Sequence, residues 1–391
     1  MLSGWSVLMT DVAAGAGTLL EQALGSLGQL LGPGWSVRLL PQEERDPATD
    51  AALDGSVQIT PPDGASPLTE ILVAARRSVT PRDVDTELRA MRGIMRLVSD
   101  RKPLLVVSPW ISPRAQQRLR HQDIAYLDLT GNASLSITYP SIRIHTQGAS
   151  KAPKSSPREP DSGRAVGLGG ARAGRIVRFL ADFAPPYRAK EIADATGVSL
   201  AWVSRLLGQV EDQLLIRRDG RTITEVNWPD LLRARAESHD LLRQNTYVSA
   251  VALNGARSTI ADLGELLRGG RVEGRIAVTG SLAAQKIAPL VIGGQLLLYV
   301  DDEPGAPDLW IDALNLLPDS GRGDVLLLRA SDPIVFEGTR AVDGVPHVAL
   351  TQVVLDGLSG PGRMPAEAEQ VLQRLIGTEP EWRRPWSPNR G

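Results

Sequence analysis

The sequence contains no cysteine and only four histidines, which lie far apart along the chain. Without cysteine, the chain has no disulfide bonds, no thiolate nucleophile and no cysteine-ligated metal. The histidines show none of the short spacings that zinc sites use. The sequence therefore predicts neither a metal centre nor a cofactor, and we interpret the protein as a non-enzyme.

Long apolar runs are also missing from the sequence. No stretch reaches the roughly 18 apolar residues that a membrane-spanning helix needs. The first residues lack the basic segment followed by an apolar run that marks a secretory signal. We therefore expect a cytoplasmic, nucleoid-associated protein with no membrane partner.

The charge is distributed unevenly along the chain. The whole sequence carries a formal charge of −2, but residues 149–222 contain 13 Lys and Arg against 8 Asp and Glu, a local excess of +5. The remainder must then carry −7. A basic segment inside an acidic protein is typical of a dedicated DNA-binding module.

Residues 149–167 are rich in Pro, Ser, Gly and charge, and such a segment buries too little apolar surface to fold by itself. We predict a linker there. It divides the chain into an N-terminal α/β domain (1–148), a winged helix-turn-helix domain (168–227) and a C-terminal α/β domain (228–391). The fold class is mixed α/β.

Apolar periodicity supports this division. Residues 1–148 alternate between helical and extended patterns, in an order similar to that of nuclease-type α/β domains. The C-terminal domain also alternates, starting with one helix predicted over residues 228–244. Its polar, Trp- and Pro-rich end, from Gly377 onwards, is expected to be loosely attached.

The central domain begins with a helix that buries Ile176, Val177 and Leu180 and ends at a Pro-Pro pair. A short helix over residues 189–196 follows, and Gly197 then provides the turn. Ser199 is placed as the N-cap of a third helix. In this helix the apolar residues fall at spacings i, i+3, i+4 and i+7, which predicts a buried stripe of Val203, Leu206, Leu207 and Val210.

The opposite face of the third helix carries Trp202, Ser204, Arg205 and Gln209. Arg and Gln side chains pair with base edges in the major groove, so this face is typical of a recognition helix. We predict that Arg205 and Gln209 read bases. Trp202 and Lys190 are expected to contact the sugar-phosphate backbone, and Ser199 and Ser204 complete the predicted DNA-binding set on the helices.

Two strands around Asp219-Gly220 follow the third helix, and this dipeptide is a hairpin signal. Arg217, Arg218 and Arg221 surround the turn. Arginines at this position pair with phosphates or enter the minor groove. The pattern therefore predicts a wing that holds the protein on double-stranded DNA.

Three carboxylates raise a different hypothesis, a metal-dependent DNA nuclease targeted by the winged helix. The candidates are Glu21, Asp54 and Glu70, but no E-x-K triplet accompanies them. Solvated surface carboxylates are the alternative interpretation, and we expect an inactive domain. The segment Val278-Thr-Gly-Ser-Leu282 and the segment 360–363 also bear a slight likeness to phosphate loops. Packing turns are the preferred interpretation of both.

Three stretches together resemble a known family. They are Ser108-Pro-Trp-Ile-Ser-Pro-Arg-Ala with the later Tyr126-Leu-Asp-Leu-Thr-Gly-Asn-Ala, the winged helix ending in Trp228-Pro, and Val348-Ala-Leu-Thr-Gln-Val-Val-Leu-Asp-Gly-Leu with Gly362-Arg. Their order over residues 68–376 is similar to that in the AbiEi-type antitoxins, winged-helix regulators of type IV toxin–antitoxin systems.

The resemblance implies a DNA-binding regulator that often represses its own operon. It also implies an N-terminal domain with a restriction-endonuclease-like fold that need not be active. The partners expected from this interpretation are double-stranded DNA, a second copy of the chain in a homodimer, and a cognate toxin or other protein. An antitoxin that acts mainly by protein contact remains an alternative.

Overall fold

The computed structural model describes residues 4–41, 44–45, 53–62, 69–98, 102–138, 141–153, 167–270, 272–288, 294–319 and 323–387, with the side chains of 4–16 and 96–98 left out. The chain forms two compact units. One comprises Met1–Ala165 with Asp212–Leu214, and the other comprises Val166–Glu211 and Leu215–Gly391. Most of the predicted linker, residues 154–166, lies outside the described residues.

The first unit is built on a seven-stranded sheet whose strands lie in chain order, β1 to β7. Strands β3, β4 and β5 run parallel and the other neighbours are antiparallel. The elements are α1 (Gly4–Leu31), β1 (Ser36–Leu39), β2 (Gly55–Thr60), β3 (Thr69–Ala75), α2 (residues 81–98, with a π-helical turn at Val84–Leu88), β4 (Leu104–Ser108), α3 (Pro113–His121), β5 (Ala125–Asp128), β6 (Ala133–Ile137) and β7 (Ile142–Thr146).

Side chains alternate across this sheet and fill two cores, one on each face. Ile71 and Val73 join the core that includes Leu20 of α1. Leu72 and Ala74 face the other core, which α2 and α3 cover. Both faces of the sheet are therefore buried, as is usual where parallel strands are joined by helices.

Side-chain hydrogen bonds to the backbone define the start of α3 and one tight turn in this unit. Ser112 caps α3, because its side chain accepts a hydrogen bond from the Ala115 amide at 3.3 Å. After β5, the buried Asp128 carboxylate accepts from the amides of Thr130 at 2.9 Å and Asn132 at 3.0 Å. The polar cluster after β5 is thus a turn held together by one carboxylate.

The second unit begins with the winged helix and continues into a second seven-stranded sheet, of order β15-β12-β16-β14-β13-β18-β17. Its elements are α4 (Ala171–Asp182), β8 (Phe183–Ala184), β9 (Tyr187–Arg188), α5 (Ala189–Thr196), α6 (Leu200–Asp212), β10 (Ile216–Asp219), β11 (Thr222–Val226), α7 (Trp228–Ala236), α8 (Leu241–Gln244), β12 (Tyr247–Val251), α9 (Ala256–Arg268), β13 (Ile276–Thr279), α10 (Gly280–Gln285), β14 (Leu296–Val300), α11 (Ala306–Ala313), β15 (Leu317–Asp319), β16 (Val325–Arg329), a 3-10 turn (Pro333–Phe336), β17 (Arg340–Val342), β18 (Val345–His347), α12 (Leu350–Leu358), α13 (Met364–Gly377), α14 (Glu379–Trp382) and β19 (Arg384–Pro385).

One continuous hydrophobic core joins the winged helix to the sheet that follows it. The core runs from Ala173 in α4 to Leu375 in α13 and includes Trp228, which is 2% exposed. The boundary that the sequence predicts between residues 227 and 228 therefore does not separate two cores. Helix α4 packs against α5 of the helix-turn-helix and also against α7 and α12, so its apolar face belongs to this shared core.

The helix predicted over residues 228–244 is wrong as a single element, because it is interrupted after Ala236. The Ser238 hydroxyl donates to the Arg235 carbonyl at 3.1 Å. Asp240 then caps a new short helix, α8, by accepting from the Arg243 amide at 3.1 Å. Side chains that bond to nearby backbone groups in this way end one helix and start the next.

The expectation of a loosely attached end is also wrong for residues 377–387, whereas residues 388–391 lie outside the described residues. Residues 378–387, called the C-terminal tail here, form α14 and β19, and β19 pairs in parallel with β8 of the winged helix. The Arg383 guanidinium is buried and donates to the carbonyls of Leu180, Ala181 and Phe183 at 2.9–3.0 Å. Trp386 packs edge-to-face on Phe183 with ring centroids 4.8 Å apart.

Among the described residues, no helix is both long and apolar enough to cross a membrane.

Candidate nucleic-acid interface

The helix-turn-helix scaffold consists of α5, a turn and α6. Gly197 adopts a left-handed conformation with φ of +65° at the end of α5, as the sequence predicts. Ser199 lies at the N-cap position, where its carbonyl accepts from the amides of Trp202 at 2.9 Å and Val203 at 3.0 Å. The predicted buried stripe is confirmed, because Val203, Leu206, Leu207 and Val210 are all at most 1% exposed.

The free face of α6 is dominated by small side chains around one arginine. Ala201, Ser204 and Arg205 are exposed, and a Cβ added at Gly208 would meet open space. Trp202 and Gln209 lie towards the edge of this face and are half-buried, and Trp202 packs against the core. The outermost surface of α6 is therefore Arg205 among small residues, which allows close approach to a groove.

Gly208 also belongs to this exposed face of α6, although the sequence analysis did not include it in the predicted DNA-binding set. Its signal in the sequence is its spacing, because it falls four residues after Ser204 and three after Arg205, on the same side of the helix. A larger residue here would hold the helix away from a groove floor.

The wing is a three-stranded sheet of order β10-β11-β9. Asp219 pairs with Thr222, so the two residues of the turn are Gly220 and Arg221. Gly220 has φ of +56°, which suits glycine. Arg221 thus occupies the tip of the wing, is exposed, and has no ion-pair partner among the described residues.

The other two wing arginines have carboxylate partners. Arg217 Nη1 lies 3.1 Å from Glu225 Oε1 across the hairpin, and both side chains are more than 60% exposed. Arg218 donates from Nε to Glu211 Oε2 of α6 at 3.0 Å, and its Nη2 contacts the same oxygen. The Arg218 pair joins the wing to the recognition helix, whereas the Arg217 pair is a solvated contact that phosphate can replace.

Two further cations lie beside the wing. Lys190 is exposed in the first turn of α5, as predicted for a backbone contact. Arg188, which the sequence did not single out, is exposed on β9 and pairs in register with Thr222, next to the tip of the wing. The sequence feature that could have identified it is Glu191, three residues later, which marks residue 188 as the helix cap. In the structure the Glu191 carboxylate accepts from the Arg188 amide at 2.7 Å.

Tyr187 anchors the base of the wing. Its side chain is 1% exposed, packs edge-to-face on Phe179 at 5.1 Å and donates its hydroxyl to the Phe183 carbonyl at 3.3 Å. Burial raises the pKa of the Tyr187 phenol, so the hydroxyl remains a neutral donor. The cations of the wing therefore project from a rigid base.

Two of the three candidate nuclease carboxylates, Asp54 and Glu70, do not share a site, and the third, Glu21, is exposed on α1. Asp54 Oδ2 accepts from the Ala75 amide at 2.8 Å, at the end of β3. Glu70 lies near the start of β3 and forms an ion pair with Lys102 at 2.7 Å. Five residues of strand separate Glu70 from Ala75, or roughly 16 Å. Oxygen ligands lie within about 2.0–2.6 Å of a bound Mg²⁺ or Ca²⁺ ion, so Asp54 and Glu70 cannot share one.

The first weak phosphate-loop candidate is the junction at which β13 passes directly into α10, and the second is a connection between two helices. Gly280 has φ of +68°, and a Cβ there would meet Leu297 at 3.3 Å. The preceding Thr279 hydroxyl donates to the buried Asp356 carboxylate at 2.6 Å, and burial raises the pKa of Asp356 to about 6. Residues 360–363 connect α12 to α13. The close approach of Leu297 to Gly280 supports the packing interpretation of the first segment, whereas residues 361–363 are exposed and their interpretation as a packing turn stays a prediction.

Comparison with known proteins agrees with the geometry of the winged helix. Residues 171–220 match the model of the IclR helix-turn-helix domain. Neither the curated proteins nor the solved structures contain a match to this chain. The matched range begins with α4 and ends at the wing turn. The chain therefore carries an IclR-type helix-turn-helix DNA-binding domain, and the class these findings support is a DNA-binding transcriptional regulator.

Proposed function

We propose that the protein is a sequence-specific transcriptional regulator similar to the AbiEi-type antitoxins, and that it binds operator DNA through its winged helix. The observation that carries this proposal is the coincidence of the helix-turn-helix match with an exposed cationic surface. The matched range holds Lys190 and Arg205, and Arg221 lies one residue beyond it. A protein that only packed against another protein would have no need of unpaired cations at these positions.

The contacts divide into two kinds. Arg205 reads base edges in the major groove from the centre of the small-residue face, with Ser204 and Gln209 on its flanks. Ser199, Trp202 and Lys190 contact the backbone at the start of the two helices. Arg217 and Arg221 of the wing bind phosphates. Arg218 holds the wing in position through its ion pair with Glu211, which is already formed without DNA. Arg188 adds a phosphate contact at the base of the wing.

The first unit supports the finer part of the proposal. Its three antiparallel strands β1 to β3 are followed by a helical crossover to the parallel strand β4, an order similar to restriction-endonuclease-like domains. We propose that this unit has such a fold without cleavage chemistry, because Asp54 and Glu70 lie far apart. Its role would be contact with a protein partner, which for an antitoxin is a cognate toxin.

We propose in addition that the regulator acts as a homodimer in the cytoplasm, on the nucleoid. One recognition helix contacts only a few base pairs, and two-fold pairing doubles the site. Sedimentation of the purified protein tests this part. A monomer at concentrations that saturate the operator would contradict it.

The experiment on the DNA contact uses a duplex from upstream of the protein's own gene, because self-repression is the expected mode. Binding is measured by fluorescence anisotropy over a salt series for the parent and for Arg205→Ala with Arg218→Ala. We expect weaker binding, because the base contact of Arg205 is lost and the wing is no longer held by Arg218, and a salt slope reduced by about 1 for each phosphate contact of Arg217 or Arg221 that the displaced wing loses. The Arg205→Ala change alone should also reduce discrimination against a scrambled duplex.

Arg374→Ala is the matched control, because Arg374 is an exposed arginine on α13, outside the winged helix. It removes one positive charge, as each of the two changes in the double variant does, and should leave the slope unchanged. The proposal fails if the double variant binds both duplexes as tightly as the parent at every salt concentration.

A further inference from the structure

One face of the sheet in the first unit is left open at its β7 end. The core that α2 and α3 cover on this face includes Leu72 of β3, Val106 of β4 and Tyr126 of β5, but no side chain of β6 or β7. The apolar side chains of β6 and β7, such as Leu135 and Ile142, join the core on the opposite face. The residues that alternate with them therefore lie on a part of the sheet that the described helices leave uncovered.

Four polar side chains occupy this open part, which we call the basic platform: Ser134 and Ser136 of β6, and Arg143 and His145 of β7. Ser136 is in register with Arg143, and Ser134 is in register with His145. Residues directly opposite each other project from the same face, with Cβ atoms about 4.5–5.5 Å apart. Ser134 is half-buried and the other three are exposed. Each basic side chain of the platform thus has a serine hydroxyl beside it.

Arg120 of α3 adds a cation on the inner side of the platform. Its Nη1 atom donates to the Tyr126 hydroxyl at 2.8 Å, and the arginine itself is exposed. Tyr126 is in register with Ser134, so Tyr126, Ser134 and His145 form one row across three neighbouring strands. Strands β5 and β7 are roughly 10 Å apart at the usual strand spacing. A ligand strand lying on the platform can therefore contact Arg120 on one side and β7 on the other.

The basic side chains of the platform, and Arg120, have no carboxylate partner within the part of the chain that the structure describes. By contrast, Arg118, on the same helix as Arg120, lies 3.2 Å from Asp85. The sequence explains why partners are scarce here, because residues 109–122 and 129–158 contain no Asp or Glu. These ranges include all of α3, β6 and β7. The positive potential of the platform is therefore not cancelled by acids on its own elements.

The donors of the platform suit phosphate groups. Arginine and serine side chains are among the usual donors to the phosphate oxygens of nucleic acids. Arg143 and His145 lie two residues apart on one strand, or about 7 Å, close to the separation of successive phosphates along a DNA strand. An open surface with basic groups at this interval fits an extended polyanion better than a single enclosed anion.

We propose that the basic platform binds the phosphate backbone of double-stranded DNA, as a second contact in addition to that of the winged helix. Phosphate contacts add affinity but carry no sequence information. The platform therefore raises the affinity for any duplex, whereas the recognition helix determines which duplex is preferred. This inference goes beyond the proposed function, because it gives the first unit a part in DNA binding that does not require the recognition helix.

Fluorescence anisotropy of the full chain with a scrambled duplex, over a salt series, measures this contact. We expect Arg120→Gln with Arg143→Gln to weaken binding about tenfold at low salt and to reduce the salt slope by about 2. The ratio of operator to scrambled affinity should stay constant, unlike that of Arg205→Ala. The matched control is Arg38→Gln with Arg374→Gln, which removes two positive charges at exposed positions outside the platform and the winged helix. It should bind like the parent.

The absence of cysteine from the chain permits a direct test by crosslinking. Ser136→Cys places a single thiol on the platform. Ser36→Cys places one at an exposed position of β1, the edge strand at the opposite end of the same sheet. After labelling with benzophenone maleimide, illumination should crosslink the platform variant, and not the control, to the scrambled duplex. The crosslink should persist at low salt when Arg205→Ala and Arg218→Ala are added, because the platform contact does not use the winged helix.

Circular dichroism verifies that each variant is folded. If Arg120→Gln disturbs the packing around Tyr126, Arg143→Gln alone keeps the test valid, with a salt slope reduced by about 1.

The proposal is overturned if the platform variants keep the affinity and salt slope of the parent, or if labelled Ser136→Cys crosslinks no better than labelled Ser36→Cys. An acidic protein would then be the alternative ligand of the platform. If the parent binds the operator and the scrambled duplex equally, the proposed function fails, while the platform variants and the crosslink still decide this inference.

Discussion

The two faces of the winged helix use arginine in opposite ways. On the outer face, Arg205, Arg217 and Arg221 are exposed, and the pair of Arg217 with Glu225 is solvated. On the inner face, Arg178 is 2% exposed and donates to Gln352, Asp182 and the Glu337 carbonyl. Whether an arginine is available to contact DNA or instead stabilises the fold therefore depends on its burial and on its hydrogen-bond partners, not on its residue type.

The largest expected effect is on the inner face. Arg178→Ala leaves the Gln352 side-chain oxygen without its donor, and it removes the cation that pairs with Asp182, which keeps the Thr351 hydroxyl as a donor. Such a loss costs about 3–5 kcal/mol of unfolding free energy. Urea denaturation measures it.

Arg172→Ala is the matched control, because Arg172 is an exposed arginine on the same helix. Its effect should stay within about 0.5 kcal/mol. The contrast between the two faces breaks down if Arg178→Ala costs no more than Arg172→Ala.

A pH dependence gives a second test of the contrast, because the same unit contains a half-buried histidine, His239. Burial, and then the nearby Arg235 cation, lower the pKa of His239 to about 4. The folded state therefore resists protonation that the unfolded chain accepts near pH 6.5. Stability from this group is complete above pH 6.5 and is lost as the pH falls towards 4, by about 3 kcal/mol.

Denaturation of the parent and of His239→Gln at pH 7, 6, 5 and 4 isolates this contribution from that of other groups. Asp356, whose pKa is raised to about 6, acts in the opposite direction and is common to both proteins. The gap between parent and variant should change with pH, whereas the exposed His121→Gln control should give a constant gap. A constant gap for His239→Gln would contradict the assignment.

A smaller loss is expected at the C-terminal tail. Arg383→Ala removes the donor from the carbonyls of Leu180, Ala181 and Phe183. Leaving buried acceptors unsatisfied costs about 1–3 kcal/mol, and the tail should become sensitive to limited proteolysis. The neighbouring Arg384 is exposed, so Arg384→Ala should change neither measurement. Equal protease resistance of Arg383→Ala and the parent would show that other contacts hold the tail.

The smallest effect is expected on the outer face. Glu225→Gln breaks an exposed ion pair and should alter stability by less than about 1 kcal/mol. It frees Arg217 for phosphate, so DNA affinity at low salt should rise. Asp262→Asn, a charge change on the exposed side of α9, is the control and should not affect the affinity. Lower affinity in Glu225→Gln would mean that the pair positions Arg217 instead of competing for it.

These differences also explain what the sequence could predict. The buried stripe of α6, the turn at Gly197 and the hairpin at residues 219–222 depend on neighbours within a few residues, so periodicity and turn chemistry identify them. Once that helix and hairpin are predicted, the sequence also shows which cations lie on the outer face. Their partners did not, because the Arg217 and Arg218 pairs depend on a hairpin register that shifts between these two residues.

The C-terminal sheet was harder to predict. Strand β12 lies between β15 and β16, some 70 residues further along the chain. It alternates weakly and ends in exposed Tyr247 and Val251, so its sequence carries little of the period-two pattern. Three-residue strands such as β15, β17 and β18 are too short to show any period. Non-local pairing, rather than local propensity, forms these elements.

The pairing of β19 with β8 has a consequence for synthesis of the chain. Arg383 and the Phe183 carbonyl that it contacts are 200 residues apart. At the usual rates of translation, those residues take roughly 10–40 s to make. During that interval the ribosome has released α4 to α6, but Trp386 is not there to cover Phe179 and Phe183. The DNA-binding domain completes its packing only when the C-terminal tail emerges, so a nascent regulator is expected to differ from a finished one in its ability to bind DNA.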